Sequence, residues 1–103
     1  MDIGKIKEYS DLAHDLALTK KNALEKCRAN QLFAYNGRLF RADDRTINLV
    51  STLKAHAKTF VILDANDNPC EIENPENFLR MLIQKNQETL NQYHRLLDQL
   101  KRR

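Results

Sequence analysis

One short stretch limits the possible folds of this chain more than any other. Residues 32–40 read LFAYNGRLF, with Asn36-Gly37 between two runs of aromatic and aliphatic residues. A two-residue hairpin turn of type I′ needs positive φ at both central positions, and Asn-Gly meets that need with the least strain. The turn sets the register of an antiparallel hairpin, whose expected cross-strand pairs are Tyr35–Arg38, Ala34–Leu39 and Phe33–Phe40.

In this register three aromatic side chains share one face of the hairpin, which another element must cover. The sequence after the hairpin offers a short helix. Asp43 or Asp44 is the expected N-cap, because a carboxylate there accepts hydrogen bonds from unpaired backbone N–H groups. The helix is predicted to run to about Ala57. We expect its apolar face to cover the aromatic face of the hairpin; that face comprises Ile47, Val50, Leu53 and Ala57.

A second hairpin is predicted after this helix. Thr59–Leu63 is apolar and rich in β-branched residues, so we expect it to be central in the sheet. Asp64–Pro69 has the composition of a turn. Residues 70–73 are expected to return as a short edge strand with Ile72 facing inward. Residues 32–72 therefore form a predicted ββαββ cassette.

The second turn also resembles the beginning of a calcium loop, with the spacing Asp-x-Asn-x-Asn from Asp64. An EF-hand loop needs Gly at its sixth position and a bidentate Glu at its twelfth. Pro69 and Pro75 occupy those positions in this chain. A plain hairpin turn is therefore the favoured interpretation, and no metal site is predicted.

Two long helices are predicted on either side of the cassette. The first extends to about Asn30 from the start of the chain (residues 1–30), because it lacks proline and its apolar residues recur at steps of three, four or seven. Lys20 interrupts its heptad pattern. The apolar positions are Ile3, Ile6, Tyr9, Ala13, Leu16, Ala23 and Cys27.

The second long helix is predicted over residues 75–102. Asn74 is its expected N-cap, Pro75 suits the first helical position and Glu76 suits the positive end of the helix dipole. Its first half should pack on the cassette, and its second half carries a thin apolar seam suited to a coiled coil. Asn86 lies in a core row, where it could fix register, although exposure to solvent is the favoured interpretation. The residues predicted to form the interacting seam are Leu82, Leu90, Tyr93, Leu96, Leu97 and Leu100.

These elements predict a single α+β domain over residues 1–103: a small antiparallel sheet of two hairpins and a short helix, flanked by long N- and C-terminal helices. No apolar run reaches the roughly 18–20 residues that a membrane span requires, and the N-terminus lacks the apolar core of a signal peptide. Cys27 and Cys70 lie far apart and without ligand spacing, so free, half-buried thiols are expected. No catalytic, cofactor-binding or metal-binding pattern is present, so an enzyme is not expected.

The charge pattern gives weak support to nucleic-acid binding. The net charge is +3, but acidic and basic residues alternate along most of the chain. Lys101, Arg102 and Arg103 are the possible nucleic-acid contacts, with Lys20-Lys21 and Arg28 as further cations. Three cations at the end of a helix also complement the negative end of its dipole, and this interpretation is favoured.

A cassette of about forty residues cannot cover two helices that each extend roughly 40 Å at 1.5 Å per residue. Those helices must pack on each other, on further copies of the chain or on a partner. The pattern therefore favours a structural or interaction protein that forms homo-oligomers through its long helices.

Residues 32–90 resemble a known protein family, and the resemblance suggests where the protein acts. Tyr35–Phe40 (YNGRLF), then Ala42-Asp43-Asp44, the helix start at Ile47-Asn48-Leu49 and Leu63–Asp67 (LDAND) are similar to a small domain of tailed-bacteriophage tail-fibre and tail-associated proteins. The resemblance spans residues 32–90. A tryptophan usual before the second turn is absent, and Phe60 and Val61 stand there. It implies a structural or assembly protein of the phage tail or baseplate, located in the virion or the host cytoplasm, with other tail proteins as partners. A small phage-encoded inhibitor of one host protein is the alternative.

Overall fold

The computed structural model describes residues 3–101, with side chains for residues 13–100. Its dimensions are 67 × 25 × 23 Å, so the long helices extend well beyond the rest of the molecule. The elements are α1 (Ile3–Asn30), β1 (Leu32–Tyr35), β2 (Arg38–Arg41), α2 (Asp44–His56), β3 (Phe60–Leu63), β4 (Pro69–Ile72) and α3 (Pro75–Lys101). The predicted α+β class and the long flanking helices are confirmed.

The first hairpin forms as predicted. Asn36 and Gly37 have φ values of 52° and 76°, which gives the positive φ that the turn requires at both positions. Phe33 pairs with Phe40 and Tyr35 with Arg38, in the predicted register. The local Asn-Gly signal therefore determined both the turn and the pairing.

The two helices that follow the hairpins begin at the predicted caps. Asp43 is the N-cap of α2, and its Oδ1 accepts a hydrogen bond from the Thr46 N–H at 2.9 Å. The Asn74 Oδ1 accepts one from the Asn77 N–H at 3.2 Å at the start of α3. Pro75 occupies the first position of α3, where its missing N–H leaves no bond unmade.

The two hairpins do not join into the single sheet that the sequence suggested. They form two separate two-stranded sheets, β1–β2 and β3–β4. The only backbone hydrogen bond between them within residues 3–101 runs from the Ala65 N–H to the Leu39 carbonyl at 2.8 Å. The prediction that residues 59–63 form a central strand is therefore wrong, because the first hairpin meets this strand only beyond its end.

Phe78 of α3 is the centre of the core. Its ring lies 4.8 Å from Tyr35, 4.9 Å from Phe40 and 6.1 Å from Phe33 between centroids, and its side chain is fully buried. The aromatic face of the hairpin is thus covered by α3, whereas the sequence suggested α2. The short helix adds the buried Val50 to the same core. The remaining fully or largely buried members of the core are Ala42, Ile62, Ile72 and Leu82.

Candidate interaction surfaces

The two long helices pack against each other in antiparallel directions. Gln31 at the end of α1 accepts a backbone hydrogen bond from Ala42 at 2.8 Å, and the carbonyl of Ala42 accepts one from the Asn86 side chain at 2.9 Å. Further back along α1, the Cys27 Sγ–H donates to the Thr89 carbonyl at 3.5 Å. Asn86 of α3 lies near the level of Gln31, whereas Thr89, which is later in α3, contacts Cys27, which is earlier in α1. The two helices therefore run in opposite directions. We call the outer parts of this pair, residues 13–22 and 90–100, the stalk.

Asn86 is buried, contrary to the favoured expectation that it faces solvent. Only 4% of its surface is exposed. Its Nδ2 bonds the Ala42 carbonyl, and its own carbonyl accepts a hydrogen bond from the Thr89 hydroxyl at 2.8 Å. The heptad position of Asn86 could have suggested this role, but its partner Ala42 is distant in sequence. Asn86 therefore fixes where α3 lies against the first hairpin.

Small side chains fill the contact between α1 and α3 where the helices meet the body. Ala23 and Cys27 of α1 are buried, and so is Thr89 of α3. Small residues allow two helices to approach closely. The heptad row of α3 that contains Leu82, Thr89 and Leu96 thus remains covered as far as Thr89.

The same row is open further along the stalk. In an antiparallel pair joined at Cys27 and Thr89, one heptad step places Lys20 of α1 opposite Leu96 of α3. Lys20 is exposed and Leu96 is 42% exposed. Leu16, the next seam position of α1, is 46% exposed. The lysine that breaks the heptad therefore marks the level at which the seam opens.

The predicted seam residues fall into two groups. Leu82 is fully buried in the core of the chain and is not available to a partner. The others lie on the stalk: Leu90 and Leu96 are exposed, and Tyr93, Leu97 and Leu100 are half-buried.

The Lys101 side chain, Arg102 and Arg103, predicted as possible nucleic-acid contacts, lie outside the described residues. The side chains of Ile3, Ile6 and Tyr9 also lie outside them.

A polar clasp, formed by Arg38 and Asp64, joins the two hairpins. The Asp64 carboxylate accepts hydrogen bonds from the N–H groups of Asn68 and Asn66 at 2.9 and 2.8 Å, and Arg38 Nη1 lies 3.6 Å from its other oxygen. Arg38 also donates to the Pro69 carbonyl at 3.3 Å. The hydrogen bond from Asn68, with those from Asn66 and Arg38, lowers the pKa of Asp64, against the opposing effect of its burial.

This arrangement explains the calcium-like spacing of the second turn. Asp64 directs its Oδ1 at two backbone N–H groups of its own turn, which is how an Asx residue stabilises a tight turn. Asp67 adopts a φ of 62°, within the left-handed region. Among the described residues no three His, Cys, Asp or Glu side chains lie close enough to hold a metal ion. The predicted hairpin turn is confirmed by the pairing of β3 with β4 on either side of it.

Among the grooves on the body, which comprises the hairpins, α2 and the first half of α3, two combine charged and apolar residues. One, of about 550 Å³, combines Lys54 and Arg80 with Glu76, so it presents no single charge. The other, of about 390 Å³, lies between the end of β2, the start of α2 and the end of β3. We call it the β3 groove; its lining includes Arg41, Arg45, Leu49, Leu63, Ala65 and Asp67.

The two cysteines differ in environment. Both are free thiols, as predicted, but the expected half-burial holds only for Cys70. Cys27 is buried between α1 and α3, whereas Cys70 is half-buried in β4. They stand on separate elements, and neither belongs to the stalk face or the β3 groove.

Comparison with known proteins gives no relative. The chain matches no family model, no curated protein and no solved structure. Among the described residues no helix is both long enough and apolar enough to cross a membrane.

Proposed function

We propose that this chain is a structural or assembly protein that acts by protein–protein interaction, and that its stalk packs against the stalk of a second copy. The observation that carries this proposal is the change along one heptad row of α3, which is buried up to Thr89 and open at Leu96. An apolar row that begins in a closed interface and continues uncovered is suited to a further helix.

A second copy is the partner that fits this face best. Two antiparallel helix pairs can pack face to face as a four-helix bundle, in which each pair supplies the same spacing of apolar residues to the other. The stalk of this chain has exposed apolar residues on both helices, with Leu96 on α3 and Leu16 on α1 about one helical turn beyond its level. The new interface continues the contact between α1 and α3 that the chain already makes.

The expected affinity is modest. Burying one leucine completely contributes about 1.5–3 kcal/mol, and the exposed stalk leucines are already about half covered. A few such residues from each copy contribute on the order of 5–10 kcal/mol, which is similar to the roughly 4–15 kcal/mol cost of association. Self-association should therefore depend on concentration, as in a component that assembles where many copies are brought together.

The resemblance of residues 32–90 to a domain of phage tail proteins supports a setting in the virion or in its assembly. In that setting the stalk would bring copies together at the tail or baseplate, and the body would contact other tail proteins. The function would then be architectural rather than catalytic.

The experiment is the solution mass of the full chain by light scattering after gel filtration, over a dilution series. We expect a mass that rises with concentration towards a defined dimer or higher oligomer. Leu96→Asp should reduce the protein to a monomer, because a carboxylate would be desolvated in the interface. Asn91→Asp adds the same charge at an exposed position of the same helix and should retain the oligomer.

Circular dichroism identifies variants whose body remains folded, so that loss of assembly is not confused with unfolding. An identical monomer mass for the natural chain and both variants at every concentration would contradict self-association. An oligomer that survives Leu96→Asp would show that the contact lies elsewhere.

A further inference from the structure

β3 has the composition of a central strand but lies at the edge of its sheet. Residues 60–63 read FVIL, and β4 is the only strand that pairs with them within the described residues. Val61 and Leu63 point away from the core and are 61% and 59% exposed. Apolar side chains on both faces are typical of a strand that is covered on both faces, whereas the outer face of β3 is uncovered at Val61 and Leu63.

The hydrogen-bond pattern shows which backbone groups face the free edge. The Asp64 N–H donates to the Asn68 carbonyl at 2.9 Å, so these two residues form a hydrogen-bonded pair. In an antiparallel ladder such pairs alternate with pairs whose backbone groups point outward. Val61, opposite Glu71, and Leu63, opposite Pro69, are the outward residues. Each directs one N–H and one C=O away from β4.

The outer edge of β3 has a backbone hydrogen bond at one end only, among the described residues. The next outward residue, Ala65, donates its N–H to the Leu39 carbonyl of β2 at 2.8 Å. Among residues 3–101, no partner is found for the outward groups of Val61 or Leu63. The β3 groove lies beside Leu63 and is also lined by residues from the end of β2 and the start of α2.

The two edges of the second hairpin differ in how they are protected. The outward positions of β4 are Pro69, which has no N–H, and the charged Glu71. Arg38 also occupies the Pro69 carbonyl. Proline and charged residues are the usual means of preventing an edge strand from pairing with another chain. β3 has none of them at Val61 or Leu63, so its edge is open while that of its partner is blocked.

The charges of the groove select the kind of strand that fits. Arg41 and Arg45 line it, and neither side chain makes a hydrogen bond or ion pair with another side chain that the structure describes. Two of its three acids already have partners: Asp43 caps α2, and Asp64 bonds its own turn and Arg38. Asp67 is the third acid. The two guanidinium groups keep free hydrogen-bond donors, which suit a carboxylate of a ligand.

We propose that the free edge of β3 binds an extended segment of a partner protein, with alternating apolar residues and at least one carboxylate, as an added strand. Backbone bonds to Val61 and Leu63 give the segment its register, and its apolar side chains cover their exposed faces. Arg41 and Arg45 hold the carboxylate in the β3 groove. This site is separate from the stalk and does not depend on self-association.

The first test uses the full chain and a fluorescein-labelled peptide with Val at alternate positions, Thr between them and Glu at both ends. Fluorescence anisotropy should show saturable binding. A peptide with Lys in place of Glu, or one N-methylated along a single edge, should bind at least tenfold more weakly. No binding of the Glu peptide, or equal binding of all three peptides, would overturn the proposal.

Variants of the chain locate the site. Val61→Lys should weaken binding of the Glu peptide tenfold or more, because a charged side chain blocks pairing at an edge. Glu71→Lys places the same charge on the opposite strand and should bind the peptide with little change. Arg45→Glu should reverse the preference in favour of the Lys peptide. Equal affinity of the natural chain and Val61→Lys would contradict the proposal.

Amide hydrogen exchange, measured by NMR, tests the edge directly. In the free chain the amides of Val61 and Leu63 should exchange much faster than that of Ile62, which points towards β4. Added Glu peptide should protect both. If both amides are already protected in the free chain, the edge has a partner before the peptide is added. That partner is a second copy if Val61→Lys removes both the protection and a dimer while Leu96→Asp removes neither. The proposed partner would then be wrong.

Discussion

The body and the stalk of this molecule use the same kinds of residues to different effect. In the body, Phe78 brings three aromatic side chains of the first hairpin into one buried cluster. In the stalk, Leu16 and Leu96 lie on two facing helices and each keeps more than a third of its surface exposed. Layers on several sides cover the body, whereas the stalk has only two helices. Packing from a third side is what separates a closed core from an open seam.

The comparison predicts that a core ring matters far more than a stalk leucine for the stability of the single chain. Phe78→Ala should lower the free energy of unfolding by about 3–5 kcal/mol, because it leaves a cavity among three rings. Leu96→Ala is the matched control and should cost about 1 kcal/mol or less. Urea denaturation, at a dilution where the chain is monomeric, measures both. Equal losses would show that the stalk is as well packed as the body.

Asn86 lies where the two regions meet, and its removal should have the next largest effect. Asn86→Ala leaves the buried carbonyl of Ala42 without its donor, which costs about 1–3 kcal/mol. Asn91→Ala, on the exposed side of the same helix, should change the free energy of unfolding by no more than about 0.5 kcal/mol. Thermal and urea unfolding of the two variants give the values. A neutral Asn86→Ala would mean that α3 is positioned by Phe78 and Leu82 alone.

The N-cap of α2 should contribute less to the stability of the body than Phe78 or Asn86. Asp43→Ala removes the acceptor of the Thr46 N–H and should lower the free energy of unfolding by about 1 kcal/mol. Asp44→Ala removes a neighbouring exposed carboxylate that is not the cap, and its effect should be smaller. Urea denaturation compares them. If the larger loss follows Asp44→Ala, the helix begins one residue later than described.

The clasp between the hairpins should give the body a weak dependence on acid. The folded-state pKa of Asp64 is lowered, so its contribution to stability is complete above its unfolded-state pKa and is lost as the pH falls through the folded-state pKa. The free energy of unfolding should therefore decrease between about pH 5 and pH 3. Asp64→Asn should flatten that decrease, and Asp67→Asn, in the same turn, should not. An unchanged pH profile for Asp64→Asn would remove the clasp as its cause.

Features set by a few adjacent residues could be predicted from the sequence. Asn36-Gly37 specifies a turn by its own backbone preferences, and Asp43 and Asn74 cap helices through residues three positions away. The seam could be predicted because heptad spacing is read directly from the sequence, but its role in assembly stays a prediction. None of these inferences needed a distant partner.

Features that depend on distant partners were not predicted. The burial of Asn86 requires Ala42 nearby, and the separation of the two sheets depends on where Ala65 meets Leu39. The composition of residues 59–63 predicts a central strand, and this prediction is wrong because composition does not show whether a second strand lies beside β3. The open edge of β3 was therefore missed, although the apolar run itself was its signal.

The contrast between the two thiols provides a chemical clock for motions of the stalk. We expect a thiol reagent to react with the half-buried Cys70 in the native protein, and with the buried Cys27 only when α1 separates from α3. The labelling rate of Cys27 under native conditions thus measures how often the helix pair opens. If that rate exceeds the rate of global unfolding, the stalk opens while the body stays folded, and an incoming copy could exchange helices with it rather than only pack against it.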